Sequence, residues 1–473
     1  MLEWSATELS TAIHARKVAP SDVMAAWLAQ VQMVNGAVNA LVSLRDADAL
    51  MAEARALDDV APQGWLHGIP FAVKDLVATK GLRTTFGSPI WKDHVPVADD
   101  ILAARMRAAG AIFTAKTNVP EWGQGSHSFN PIFGVTRNPY NLDRSAGGSS
   151  GGAAAALATR MAWVADGSDM MGSLRNPAGF CNVYGFRPSW GLVPSDAEGE
   201  SFIGTLSTEG PMARTVDDIA GLLLVQAGEN PEMPFPRAVP DVLSGLDRGV
   251  KGLRIGWLAD WGGAYPMEPG ILSACETGLS VLEGLGAVVE PLAAPFPAEK
   301  LWQSWITLRA ALNGNGLREL AENPAKRALT KPETLWEIEQ GQGLTVAALF
   351  EASTIRSRWY TDAARLFDRY DALVLPTAQV WPFPADWRWP EVVAGRKMDT
   401  YHRWMEVVIP ASLIGLPALS VPVGFSLEGL PSGMQIIGRS GDDAGVLAIG
   451  QAYHRATEWP QKHPPLVAGS ISA

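Results

Sequence analysis

Between residues 143 and 194 the chain reads DRSAGGSSGGAAAALATRMAWVADGSDMMGSLRNPAGFCNVYGFRPSWGLVP, and this stretch constrains the fold more than any other. It carries two small-residue turns with serines, each bracketed by segments that must be packed. The first turn, Gly147-Gly148-Ser149-Ser150-Gly151-Gly152, runs into the helix-forming residues 153–157. It is therefore expected at a helix N-terminus, where backbone N–H groups lack intrahelical partners. Residues 161–165 read as a short buried strand, and a second turn follows over 166–173, then Arg175, Pro177 and a further apolar run. Gly/Ser linkers repeat without apolar flanks, so this is not a linker.

A chain of 473 residues with 47% hydrophobic and 18% charged side chains describes a large α/β enzyme or several domains, with no compositional sign of disorder. Lysine and arginine total 38 against 49 acidic residues, a net charge of −11, which argues against nucleic-acid or anionic-membrane partners. Cys181 and Cys275 are too few for a disulfide framework or a cysteine metal cluster and fit a reducing cytoplasm. The amphipathic start lacks the pattern of a secretory signal, and no apolar window is long enough to span a bilayer, so a soluble cytoplasmic protein is expected.

Ser5-Ala6-Thr7-Glu8 reads as a capping box for a first helix, and Pro20 opens a second with Val23, Trp27, Val31 and Val34 on one face. A third helix is expected over 46–57. Phe71-Ala72-Val73-Lys74-Asp75 reads as a buried strand with a charged end. Lys74 there is either a strand-end amine that snorkels to water or a desolvated amine poised as a base. Helix and strand then alternate to about residue 195, which favours an α/β sheet. A helix is expected over 212–226, a surface connection over 228–252, and strands at 252–257, 287–289, 371–377, 414–422 and 433–437. Residues 297–369 are mostly helical and poor in motifs.

Over nearly its whole length the chain resembles the amidase signature family of serine hydrolases. Besides residues 143–194, the likeness rests on pieces in family order. They are Leu66-His67-Gly68-Ile69-Pro70-Phe71-Ala72-Val73-Lys74-Asp75, Lys116-Thr117-Asn118-Val119-Pro120-Glu121, Arg137-Asn138-Pro139-Tyr140-Asn141, Thr208-Glu209-Gly210-Pro211-Met212-Ala213-Arg214, Leu373-Val374-Leu375-Pro376-Thr377 and Gly415-Leu416-Pro417-Ala418. The resemblance implies one domain with a large mixed, mostly parallel central sheet between helices on both faces. Within it, residues 1–60 frame, 61–225 form the catalytic core, 226–370 vary on the substrate side, and 371–473 complete the core.

The resemblance places the family's lysine on Lys74, its bridging serine on Ser149 and its nucleophile on Ser173. A serine hydroxyl needs a neighbouring base, and no histidine here sits in a nucleophile motif such as G-x-S-x-G. A neutral Lys74 would accept the Ser149 proton while Ser149 takes that of Ser173, and the reverse relay would protonate the leaving amine. By the same pattern the oxyanion hole is the N–H groups of Met170, Met171, Gly172 and Ser173. Gly148, Ser150, Asp169 and Arg175 support the loops, and neither metal nor organic cofactor is required.

The family's common Thr-Gly-Gly-Ser is Met170-Met171-Gly172-Ser173 here, so the two methionines are expected to line the pocket. Trp302, Trp305, Trp336, Trp359, Trp381, Trp387, Trp389 and Trp404 lie in the segments that the family varies, and aromatic groups around a cleft suit a hydrophobic or aryl amide, anilide, carbamate or ester. The alternatives are the glutamine-hydrolysing subunit of a tRNA-dependent amidotransferase and a non-catalytic binding protein on the same fold. A homodimer is what the resemblance implies.

Overall fold

The long apolar runs near the C-terminus become the middle of an eight-stranded sheet. The computed structural model describes residues 1–196 and 200–466. In spatial order the strands are Val288–Pro291, Arg254–Trp257, Ala372–Pro376, Pro431–Ile437, Ala418–Phe425, Tyr184–Arg187, Thr208–Ala213 and Val164–Asp169. Successive residues of a strand point to opposite faces. Gly433 packs against Gly179 of the helix Arg175–Phe180, and Met434 against Gly278 of the helix Ile271–Gly284, so helices cover both faces.

The sheet is mixed, but the expectation of mostly parallel strands is corrected. Arg254–Trp257 pairs in parallel with both its neighbours, and the other pairings are antiparallel. A short turn joins Ala418–Phe425 to Pro431–Ile437, and a connection that short permits only antiparallel pairing, whereas the parallel strands are linked through helices.

A smaller sheet has Ile112–Thr117 between Leu41–Val42 and Pro70–Lys74 and ends at Lys74. The Ser5–Glu8 capping box is present, and Val23, Trp27 and Val34 of the second helix are buried. Several expected boundaries move, among them 414–422, which becomes Ala418–Phe425. The strand expected at 161–165 runs over Val164–Asp169, because its small polar residues pair with Thr208–Ala213 across the ladder. That partner strand takes Met212 and Ala213, so the following helix begins at Val216, capped by the Thr215 hydroxyl.

Two hydrophobic clusters fill the interior. One surrounds the framing helices, both sheets and the alanine-rich helix Gly151–Ala158, and contains both cysteines. Burial pushes both thiols well above the ordinary range. The other joins the helices Ala298–Gly316 and Val346–Leu366 to residues 404–416 and holds Trp302, Trp305, Trp359 and Trp404. No helix among the described residues is long and apolar enough to cross a membrane.

Candidate active site

Lys74 lies fully buried at the end of its strand, so the snorkelling reading fails: its amine reaches no water. Nζ donates instead to three hydroxyls, Ser149 Oγ at 2.9 Å, Ser150 Oγ at 2.9 Å and Ser168 Oγ at 2.7 Å. Ser150 stands at the N-cap of the helix Gly151–Ala158 but does not cap it, since its hydroxyl faces Lys74. The free helix N–H groups find other acceptors: Gly151 donates to Ser128 Oγ and Gly152 to the Asn118 carbonyl. A Cβ on Gly152 would stand 2.3 Å from the Asn118 nitrogen, so only glycine lets the helix start seat there. Gly148 packs as tightly, its Cβ position 2.8 Å from the His127 nitrogen, and the Gly148–Ser149 peptide is cis.

Burial pulls the Lys74 amine below the ordinary lysine range, while the carboxyls of Glu209, Asp166 and Asp169 pull it back up. Asp166 accepts the Lys74 backbone N–H. Asp169 is held from behind. Burial alone would raise its carboxyl, yet the guanidiniums of Arg175 and Arg187 overcome that and hold it well below the usual carboxylate range. Arg175 grips it with two bonds of 2.9 Å and also reaches Gln435 and Ser412, which ties the loop to the large sheet.

Asp169 shapes the loop that carries Ser173. Its Oδ1 accepts the Gly172 N–H at 2.8 Å and its Oδ2 the Leu174 N–H at 3.2 Å. Gly172 therefore leaves the expected oxyanion set, because its N–H is spent on a buried carboxylate. The N–H groups of Met170, Met171 and Ser173 donate to no acceptor among the described residues. Gly172 has φ +80°, and a Cβ there would press on Val408 at 3.0 Å, so the turn requires glycine.

Ser149, Ser168, Ser173, Met170 and Met171 line one side of a cavity of about 230 Å³. None of the eight tryptophans of the variable segments lines it. Trp302, Trp305, Trp359 and Trp404 pack the second core instead, Trp336 and Trp389 face a surface groove beside Tyr401, and Trp387 is exposed. Trp122, in a loop after the Lys116 motif, is the tryptophan that does line the cavity.

The opposite side is more polar than an aryl pocket suggests. Helices Ala298–Gly316 and Pro332–Gln342 cross where a Cβ on Gly341 would overlap the Ala310 carbonyl. That close approach brings Arg309 and Asn313, one helical turn apart, against Glu337. Arg309 also donates to Tyr401 Oη at 2.9 Å and to Met170 Sδ at 3.1 Å. His402 stacks on Tyr401, and burial with the nearby Arg309 lowers its pKa to about 3, so it is neutral. Sequence reasoning missed Ser168, Glu209 and this whole side. Glu209 stood inside the Thr208–Arg214 piece of the family likeness without a role, and the opposite side showed only the i,i+4 pair Arg309 and Asn313.

A family model described as Amidase matches residues 22–447. A glutamyl-tRNA(Gln) amidotransferase subunit of Moorella thermoacetica is 35% identical over 98% of this chain and 98% of its own. An acylamidase of Rhodococcus erythropolis is 32% identical over 98% of both chains. The crystal structure of a bacterial aryl acylamidase superposes with a TM-score of 0.92 at 29% identity, covering 99% of each chain.

Proposed function

The chain belongs to the amidase signature family and hydrolyses amide bonds, and from that premise we propose that it cleaves a small aryl acylamide through an acyl-enzyme on Ser173. The observation that carries the reading is the 2.9 Å bond from Lys74 Nζ to Ser149 Oγ at the edge of a cavity that Ser173 shares. In the neutral state Lys74 takes the Ser149 proton as Ser149 takes that of Ser173, whose oxygen then attacks the amide carbon. The free N–H groups of Met170, Met171 and Ser173 stabilise the oxyanion, each donor being worth about 3 to 4 kcal/mol in such sites. Return of the proton through Ser149 expels the amine, and water repeats the cycle to release the acid.

A cavity of about 230 Å³ edged by Leu76, Trp122, Met170, Met171 and Met405 suits one aromatic ring and a short acyl group. A second reading, glutamine hydrolysis within an amidotransferase complex, is favoured by the polar side with Arg309 and Asn313 and by the 35% identical relative. Purified protein assayed with a nitroacetanilide, an aryl carbamate, an aryl ester and glutamine separates the two. Faster anilide cleavage supports the aryl reading; glutamine preference together with co-purifying partner proteins replaces it. Labelling of wild type, but not Ser173→Ala, by a fluorophosphonate tests the nucleophile.

A further inference from the structure

We infer that the Glu209 carboxyl is the electrostatic partner that sets the pH at which Lys74 becomes a base, which makes it a positioning residue of the relay. The inference rests on the reading of Lys74 as that base. Glu209 lies directly opposite Ser168 in the antiparallel pairing of Thr208–Ala213 with Val164–Asp169, so the two side chains share one face. Ser168 Oγ accepts from Lys74 Nζ at 2.7 Å, and Glu209, Ser168, Ser149 and Ser173 line the same cavity. Glu209 Oε2 is buried and has no hydrogen-bond partner among the described residues.

The three hydroxyls around Nζ are neutral, so a charge on Lys74 must be balanced from beyond them. The other ionisable groups nearby are committed. Asp166 accepts the Lys74 main-chain N–H, and Asp169 is gripped by Arg175 and Arg187. Asp100 caps the helix Ile101–Ala108, and Lys116 donates to the Val77 carbonyl and Thr79. Across the cavity Arg309 is paired with Glu337 and Tyr401. Among the described residues Glu209 is the carboxyl beside Lys74 that keeps a buried oxygen unpaired, and Asp166 and Asp169 add a smaller pull of the same sign. The coupling is mutual: burial raises the Glu209 carboxyl and Lys74 lowers it, while Glu209 raises Lys74 against burial.

An ionised Glu209 therefore holds the proton on Lys74 and delays the onset of activity as pH rises. In Glu209→Gln, which keeps the shape and removes the charge, the acid limb of the kcat/KM–pH profile should move down by about one pH unit, as expected for loss of an opposite charge at close range. A midpoint that stays in place overturns the inference, and so does a folded variant that loses activity equally at every pH. Should Glu209→Gln fail to fold, NMR of the wild-type protein reads the pair directly. A glutamate carboxyl signal that responds as Lys74 Nζ titrates supports the inference, and a Lys74 Nζ titration that no glutamate carboxyl signal senses overturns it. Lys74→Ala separates the two failures. If it stays active, the relay reading falls; if it is inactive while the Glu209→Gln limb is unmoved, only this inference falls.

Discussion

The two sides of the cavity are built in opposite ways. The serine side comes from strand ends and tight turns of one core, where Asp166, Asp169, Ser150 and Ser168 are each spent on a single geometry around Lys74 and Ser173. The facing side comes from helices of the other core, and one Arg309–Glu337–Tyr401 network brings distant segments together. The first fixes atoms for chemistry. The second shapes a space, and single changes there should alter which substrate fits before they alter the reaction.

The sharpest way to break that contrast is at the nucleophile. Ser173→Ala should lower kcat by roughly 10⁶-fold, as in other serine relays, with an unchanged far-UV spectrum. Lys74→Ala should cost about 10² to 10⁴-fold, the usual worth of acid–base help. In wild type the rate should rise with pH as Lys74 loses its proton, at a midpoint below that of free lysine because burial favours the neutral amine. A rate flat into acid would contradict the relay.

Asp169→Asn would leave Arg175 and Arg187 buried without their counter-charge. Thermal or urea unfolding at neutral pH should then show a loss of about 3 to 5 kcal/mol. The sign is fixed by the depressed carboxyl: its stabilisation is present above the unfolded carboxylate pKa and is lost only as pH falls through the lower folded value. At the cavity wall, Trp122→Ala should raise KM for an anilide by about tenfold with kcat changed less, from lost apolar contact. On the facing side, Tyr401→Phe removes two hydrogen bonds, the one accepted from Arg309 and the one donated to Glu337, and should raise KM about fivefold at most, with little change in kcat. If Tyr401→Phe lowered kcat as far as Lys74→Ala, the division between the two sides would be wrong.

The same division explains what the sequence could disclose. Ser149, Ser150 and Ser173 sit in contiguous small-residue turns, because a turn with positive φ or a Cβ-free approach can be built only from glycine and its neighbours, and Lys74 ends an apolar strand. Strand and helix types were legible where apolar periodicity was strong, as at 418–425 and 431–437. Parallel or antiparallel pairing was not, since it depends on connections rather than on the strand itself. The facing side left no motif: Arg309, Asn313, Glu337 and Tyr401 meet only after Gly314 and Gly341 let two helices touch. The tryptophans misled because a large ring fills a helical core as readily as it lines a cleft, and four of those named lie in the second core.

The two buried thiols have a consequence of their own. Cys181 follows the helix that carries Arg175, and Cys275 lies in the helix on the other face of the large sheet. With both held protonated and away from solvent, alkylating reagents reach them only when the interior opens. The molecule thus carries two built-in clocks, one on each face of its sheet, and their separate alkylation rates would tell whether the interior opens as one unit or face by face.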